Sequence, residues 1–294
     1  MNSQPPCKLC GGVAEHFMEH NGFSILRCVA CSFMFARLPE GTNLVEVYRD
    51  DSYWTGGHDY GYQNYDSEWT QSEHLYLARL ARTNELCMAG RMLEIGCAAG
   101  NFIKAARDTG WVVAGVEVSE MMRQRAAAAT SAPIYESLAA ALAREATFDC
   151  VVMFEVLEHL QDPLAVLGEV TRGLASNGLL ALSTPNFASP AAARDPFGHE
   201  WFTPPAHVSY FAPDTLRSCV VKAGFEILEL SGVLNVNDVP LPGWLDPPLR
   251  LFRRGKQLRP GGVLGKLIKR YQRSRKDLLQ FSYGLELYAR KATA

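Results

Sequence analysis

Residues 93–102, Leu-Glu-Ile-Gly-Cys-Ala-Ala-Gly-Asn-Phe, constrain this chain more than any other stretch. An apolar run stops at Gly96, a second glycine follows at Gly100, and helix-compatible residues come next, so the segment reads as a buried strand, a tight turn and a helix start. Glycine reaches backbone conformations closed to other residues, and the first N–H groups of a helix lack intrahelical partners. Together they make a cradle for a ligand. A dinucleotide cradle wants Gly-x-Gly-x-x-Gly, whereas Ala98 stands between the glycines here, so a pyrophosphate is a poor guest. Glu94, at the strand end, would repel phosphate and suits a cationic amino-acid group. Residues 112–118 read as a second apolar strand carrying Glu117, about twenty residues beyond the turn, where an acid can accept both hydroxyls of a ribose.

A cationic amino acid joined to a ribose describes S-adenosylmethionine, and the chain resembles the class I methyltransferases that use it, in the branch of quinone and small-molecule methyltransferases. The resemblance extends beyond the cradle. Phe-Asp-Cys-Val-Val-Met-Phe-Glu-Val-Leu-Glu-His-Leu at 148–160 resembles the fourth strand and following turn of that branch, and residues 174–186 its fifth strand. His-Val-Ser-Tyr-Phe at 207–211 and Ala-Gly-Phe at 223–225 are later signposts. Departures are Ala98, where the family has glycine, and Asn177 before Gly178, where a glycine pair is commoner. Neither puts a large side chain into the cradle. The resemblance implies a Rossmann-like, seven-stranded α/β sheet and a cofactor held by Glu94, Gly96, Cys97, Ala98, Gly100, Asn101, Phe102, Glu117, Val118, Phe154, Glu155 and Val156.

Strand and helix patterns alternate through the same region, which by itself predicts a parallel sheet covered on both faces. Strands are expected at 92–96, 112–118, 134–135, 148–154 and 179–183, then at 225–230 and 284–290, with a helix over 214–223 capped by Asp214. The implied topology ends in a hairpin whose last strand is antiparallel.

Cys7 and Cys10, then Cys28 and Cys31, form two Cys-x-x-Cys pairs separated by seventeen residues. That spacing suits a tetrahedral structural zinc site, and four thiolates leave no open position for catalysis. A zinc ribbon over 1–38 is the expectation. Free or disulfide-bonded cysteines are the alternative, although the other four cysteines sit singly in apolar segments. Few basic side chains accompany the pairs, which speaks against nucleic acid.

Residues 39–90 follow as an aromatic connector or lid, with helical periodicity from His74 to Leu86. The aromatics would cover the cofactor or pack between ribbon and core. The methyltransferase core is assigned to 91–232, an insertion to 233–283 and the last strand to 284–294. The insertion opens with Pro240, Pro242, Pro247 and Pro248, then carries eleven Lys or Arg and no acid over 250–276. Leu264, Leu267, Ile268 and Tyr271 share one helical face there. Such a helix either lies peripherally on an anionic membrane or packs on the core with a solvated basic back.

The net charge of −2 steers the whole chain toward no polyanion. No basic stretch leads into an apolar one at the start, and no segment reaches the roughly 18 apolar residues that span a bilayer, so a cytoplasmic location is expected.

Methyl transfer needs an in-line nucleophile in a dry cleft, and a base where that nucleophile carries a tightly held proton. His159, in Glu-Val-Leu-Glu-His after the fourth strand, is the first candidate, and His207 the second. The resemblance also admits a magnesium ion on Glu155, Glu158 and His159. His199, Trp201 and Tyr210 are expected on the substrate side, and Asp149 is read as structural. The leading expectation is methylation of a small-molecule, sugar or lipid-linked acceptor. RNA methylation through the ribbon and basic insertion, and a non-catalytic cofactor-binding scaffold, are the alternatives. The absence of Asn/Asp-Pro-Pro-Tyr/Phe after strand four argues against methylation of base amino groups.

Overall fold

In the computed structural model, residues 4–189, 192, 202–233 and 282–292 are described. The Pro-rich and basic stretch, His199 and Trp201 therefore lie outside the described residues.

Three short strands open the chain, β1 (Ala14–His20), β2 (Phe23–Cys28) and β3 (Met34–Arg37). Helices α1 (Leu44–Arg49), α2 (Ser52–Thr55) and α3 (Tyr65–Leu86) follow. Next come β4 (Arg91–Ile95), α4 (Asn101–Asp108), β5 (Val112–Val116), α5 (Glu120–Thr130), β6 (Ile134–Tyr135), α6 (Leu138–Arg144) and β7 (Phe148–Phe154). A 3₁₀ turn (Leu157–His159) leads into α7 (Pro163–Gly173) and β8 (Leu174–Pro185). The chain then forms β9 (Ser209–Tyr210), α8 (Pro213–Lys222), β10 (Phe225–Val233) and β11 (Gly284–Lys291).

The main sheet has seven strands in the order β10-β11-β8-β7-β4-β5-β6. Strands β8, β7, β4, β5 and β6 run parallel, and β11 is antiparallel to both neighbours, which is the implied topology. Side chains alternate across it with period two, so both faces of β7 are apolar. Val151 and Met153 join one core cluster with Leu93, Leu180 and Leu182. Cys150, Val152 and Phe154 join the opposite one with Met92, Leu179 and Ala181. Asp149 serves this frame: its carboxylate accepts the Arg91 N–H at 2.8 Å and would collide with any Cβ at Gly90.

A second sheet has the order β1-β2-β3-β9. Its fourth strand comes from some 170 residues downstream, and Leu9, Leu26, Phe33 and Phe35 share a core cluster with Leu157, Phe211 and Leu216. The amino-terminal hairpins are thus fused to the main sheet.

Three boundaries differ from the sequence reading. Helix α3 begins at Tyr65, nine residues before His74, because Asn64 caps it by accepting the Ser67 N–H, and Glu68 folds back to accept the N–H groups of Gln63 and Asn64. Helix α8 is capped at Ala212, not Asp214; Pro213 supplies a preset φ at the first helical position, and the Thr215 hydroxyl accepts the Ala212 N–H. Strand β8 extends five residues further back than expected, starting directly at the end of α7.

Candidate active site

The cradle lies where β4 ends. Gly96 and Gly100 have φ of +72° and +79°, and Ala98 between them sits at +44°. A Cβ on Gly96 would stand 2.7 Å from Val156 Cγ2, and one on Gly100 3.0 Å from Ala126, so both positions exclude larger residues. Cys97 is buried, and Asn101 opens α4 beside Phe102, whose ring meets Phe154 edge-on at 5.0 Å.

Glu94 is 5% exposed, and its Oε2 has no hydrogen-bond partner. Burial pushes its pKa well up, the Ile103 N–H acts against that, and the Glu117 charge adds to it. A buried carboxylate oxygen without a partner in a ligand cradle is a position reserved for a cationic or N–H-bearing guest. Glu117 is as deeply placed, 4% exposed. Its Oε2 accepts the Ala98 N–H at 2.9 Å and its Oε1 the Ser119 N–H at 2.8 Å. Burial raises its pKa, and those N–H donors pull it back. Arg123 braces the loop by donating to the Glu117 and Val118 carbonyls. Two acids at the ends of neighbouring parallel strands, over a turn that admits only glycine at two positions, fit S-adenosylmethionine.

The aromatic connector closes over this cradle. Tyr53, Trp54 and Tyr65 cluster with Ala98, Ala99 and Met122, and Tyr62 stacks on Trp54 at 5.4 Å. Beneath them the buried Arg79 of α3 pairs with Glu155 and Glu286, both at 3.0 Å, with its guanidinium over the rings of Tyr76 and Phe154. Glu155 has φ +56° and also accepts from Ser183 at 2.6 Å.

Beyond β7 the 3₁₀ turn presents Glu158 and His159 to His207. One ligand-type atom from each of the three lies within 4.8 Å of the others. Glu158 is fully buried; its Oε2 accepts the Thr184 hydroxyl at 2.9 Å, and its Oε1 has no hydrogen-bond partner and lies 4.0 Å from His159 Nε2. Burial, then the charge of Glu155, push the Glu158 pKa well up. Burial lowers that of His159. The His159 and His207 rings meet at 4.7 Å. His159 Nδ1 lies 2.9 Å from the Ala206 carbonyl and 3.0 Å from the Tyr48 hydroxyl.

The trio proposed for magnesium, Glu155, Glu158 and His159, is thus not the one brought together: Glu155 turns to Arg79, and His207 takes its place beside the other two. Tyr210 does not join them. It packs against Phe187 and Phe202 and donates its hydroxyl to the His207 carbonyl, supporting the histidine from behind. Tyr48, Arg79 and Glu286 went unrecognised in the sequence, because a tyrosine in a six-residue helix and an arginine in a long helix carry no pattern of their own.

At the amino terminus Cys7 and Cys31 Sγ stand 3.6 Å apart and Cys10 and Cys28 Sγ 3.4 Å, with all four within 4.8 Å. Burial raises Cys7 to about 11, with the N–H groups of Cys10 and Leu9 opposing it. For Cys28 the balance reverses: burial raises it, but N–H and thiol donors from Cys31, Cys10 and Ala30 bring it down to about 7.

Known proteins are similar to this chain in sequence and in fold. A probable S-adenosylmethionine-dependent methyltransferase of Mycobacterium tuberculosis is 31% identical over 183 residues, 60% of this chain and 61% of the relative. A ubiquinone biosynthesis O-methyltransferase of Caulobacter is 31% identical over 166 residues, 52% of this chain and 65% of the relative. The chain therefore spans less than two thirds of the length of these relatives. Among solved structures, an S-adenosylmethionine-dependent methyltransferase of Thermotoga maritima superposes with a TM-score of 0.51 at 20% identity, over 77% of this chain and 94% of that one. The magnesium protoporphyrin IX methyltransferase of Synechocystis reaches 0.50 at 13% identity, over 85% and 98%. The methyltransferase domain family matches residues 63–230, more than half of the sequence and the whole of the cradle, β7 and the 3₁₀ turn, and the chain belongs to it.

Proposed function

We propose that the protein transfers the methyl group of S-adenosylmethionine to a hydroxyl of a small molecule, with His159 taking the hydroxyl proton. The observation that carries the reading is the half-buried His159, anchored through Nδ1, with its Nε2 edge turned toward Glu158 and His207 where the parallel strands end. Ligands of open α/β sheets bind at that edge. A nucleophile without a tightly held proton would have no need of such a group. Support also comes from relatives named for ubiquinone O-methylation.

When bound, S-adenosylmethionine supplies an electrophilic methyl on a sulfonium. Glu94 meets its cationic amino-acid end, Glu117 its ribose, and the aromatic cover excludes water. His159 Nε2 would accept the acceptor's proton while the methyl passes from the sulfonium sulfur, left behind as a neutral thioether, to the acceptor oxygen, and the imidazolium would then release that proton to solvent.

The four cysteines hold structural zinc in this reading. A tetrahedron of Zn–S bonds near 2.3 Å puts sulfur atoms about 3.8 Å apart, close to the spacings observed here.

Incubation with methyl-labelled S-adenosylmethionine and fractionated host extract tests the proposal, with zinc measured on the same preparation. Label in a small-molecule or lipid-soluble fraction, alkali-stable as an ether, supports it. RNase-sensitive label replaces it with RNA methylation, and cofactor binding with no labelled fraction replaces it with a scaffold.

A further inference from the structure

Three polar atoms from separate parts of the chain meet beside the His159 ring. Tyr48, the fifth residue of α1, places its hydroxyl 2.6 Å from the Ala206 carbonyl oxygen and 3.0 Å from His159 Nδ1, and that carbonyl lies 2.9 Å from Nδ1. The triangle is half-buried, with Ala206 fully enclosed, and Tyr48 packs edge-on against both His159 and Tyr53, at 5.1 and 5.2 Å. Its backbone carbonyl is held by Trp54 Nε1 at 3.0 Å.

Only one arrangement of protons satisfies all three atoms. The carbonyl can only accept. Burial holds Tyr48 as the neutral phenol, so its one proton goes to the nearest acceptor, the carbonyl at 2.6 Å. A bare Nδ1 would then face lone pairs of both oxygens at hydrogen-bond distance, a repulsion that a half-buried site compensates poorly. A protonated Nδ1 instead donates to the second lone pair of the carbonyl and to the phenol oxygen.

We infer that Tyr48 is a positioning residue that, with the Ala206 carbonyl, locks His159 in the Nδ1–H tautomer and so presents the bare Nε2 to the acceptor. This deepens the acid–base reading above and rests on it for its catalytic consequence, though not for the tautomer itself. The groups facing the ring are Glu155, Glu158, His207 and Tyr48. Tyr48 lies in the segment that covers the cofactor cradle, outside residues 63–230 that match the domain family. A cover that sets the base as it closes over the cofactor makes water exclusion and base activation one event.

Long-range ¹H–¹⁵N spectra of the full chain, with His159 assigned by its loss in His159→Asn, read the tautomer directly. The wild type is expected to show a protonated Nδ1 and a bare Nε2. Tyr48→Phe keeps the ring contacts and removes the hydroxyl. It is expected to move His159 toward the Nε2–H form and to lower kcat on the order of tenfold, the worth of one hydrogen bond to a group that becomes charged, with cofactor affinity within about twofold. An Nε2–H signal in the wild type overturns the inference, and so does an Nδ1–H signal that Tyr48→Phe leaves unchanged. The spectra decide even where no acceptor is methylated, so failure of the lock and failure of the methyl-transfer reading are told apart.

Discussion

Val208 donates its backbone N–H to the carbonyl oxygen of Glu158 at 2.9 Å, and its own carbonyl accepts the Ala36 N–H at the same distance. The next two residues form β9, paired with Met34 and Phe35. One ladder of backbone hydrogen bonds therefore runs from the cysteine-bearing hairpins through Val208, next to His207, to the turn that carries His159. The cradle of Gly96 and Gly100, by contrast, is built on β4 and β5.

Loss of the cysteine site should separate the two halves of the activity. Cys28→Ser, or removal of metal by a chelator, is expected to loosen β2 and β3 and with them the ladder, because a structural zinc site contributes folding energy to its own module. Turnover should fall at least about tenfold while the cofactor dissociation constant changes less than about threefold, equivalent to under 1 kcal/mol. Calorimetric titration alongside the methyl-transfer assay reads both; parallel loss of the two would show that the ladder does not separate them.

Glu94→Gln should strengthen the cofactor-free fold and weaken cofactor binding. The folded-state pKa of Glu94 is raised well above its usual value by burial, so the folded protein holds its proton more tightly than the unfolded chain does. Stability in the absence of cofactor then declines as pH rises from about 4.5 through the folded pKa, since the unfolded chain binds fewer protons over that window. A neutral glutamine removes the penalty and the pH slope. Thermal melts at pH 7 are expected to rise by about 2 °C or more, the equivalent of roughly 1 kcal/mol in a chain of this size, while the cofactor-induced shift shrinks. A melting temperature that falls in the variant would sink the argument.

His159→Asn should leave cofactor binding nearly intact and lower kcat by about 10²- to 10⁴-fold, the range for removal of a positioned acid–base group. Activity lost in KM alone would instead make His159 a binding residue.

Much of this site was legible because its physics is local. The turn at Gly96 and Gly100 announces itself through glycine, Glu94 and Glu117 through acids at strand ends, and β7 through an unbroken apolar run from Cys150 to Phe154. The cysteine pairs are equally local. What escaped notice depends on contacts distant in sequence. Tyr48 acquires meaning only through Ala206 and His159, and Arg79 through Glu286, some two hundred residues away. Helix α3 hid its first nine residues because Tyr65 and Trp69 face an aromatic cluster instead of continuing a clean apolar stripe. Tyr210 carried the right motif but is committed to holding the His207 backbone.

Arg79 offers the sharpest test of that long-range part. It is 5% exposed and, among the described residues, supplies the one cation in contact with Glu155 and Glu286, whose side chains are 29% and 23% exposed. Arg79→Met fills the same space but leaves two carboxylates facing each other across an apolar pocket. Unpaired buried charge of this kind costs about 3 kcal/mol, the lower end of the range for a broken buried pair because both acids keep some solvent contact. Replacing both acids as well, in Arg79→Met/Glu155→Gln/Glu286→Gln, removes the repulsion, and urea denaturation should recover more than half of the loss. If the triple variant is no more stable than Arg79→Met, the arginine acts through packing against Tyr76 and Phe154 and not through its charge.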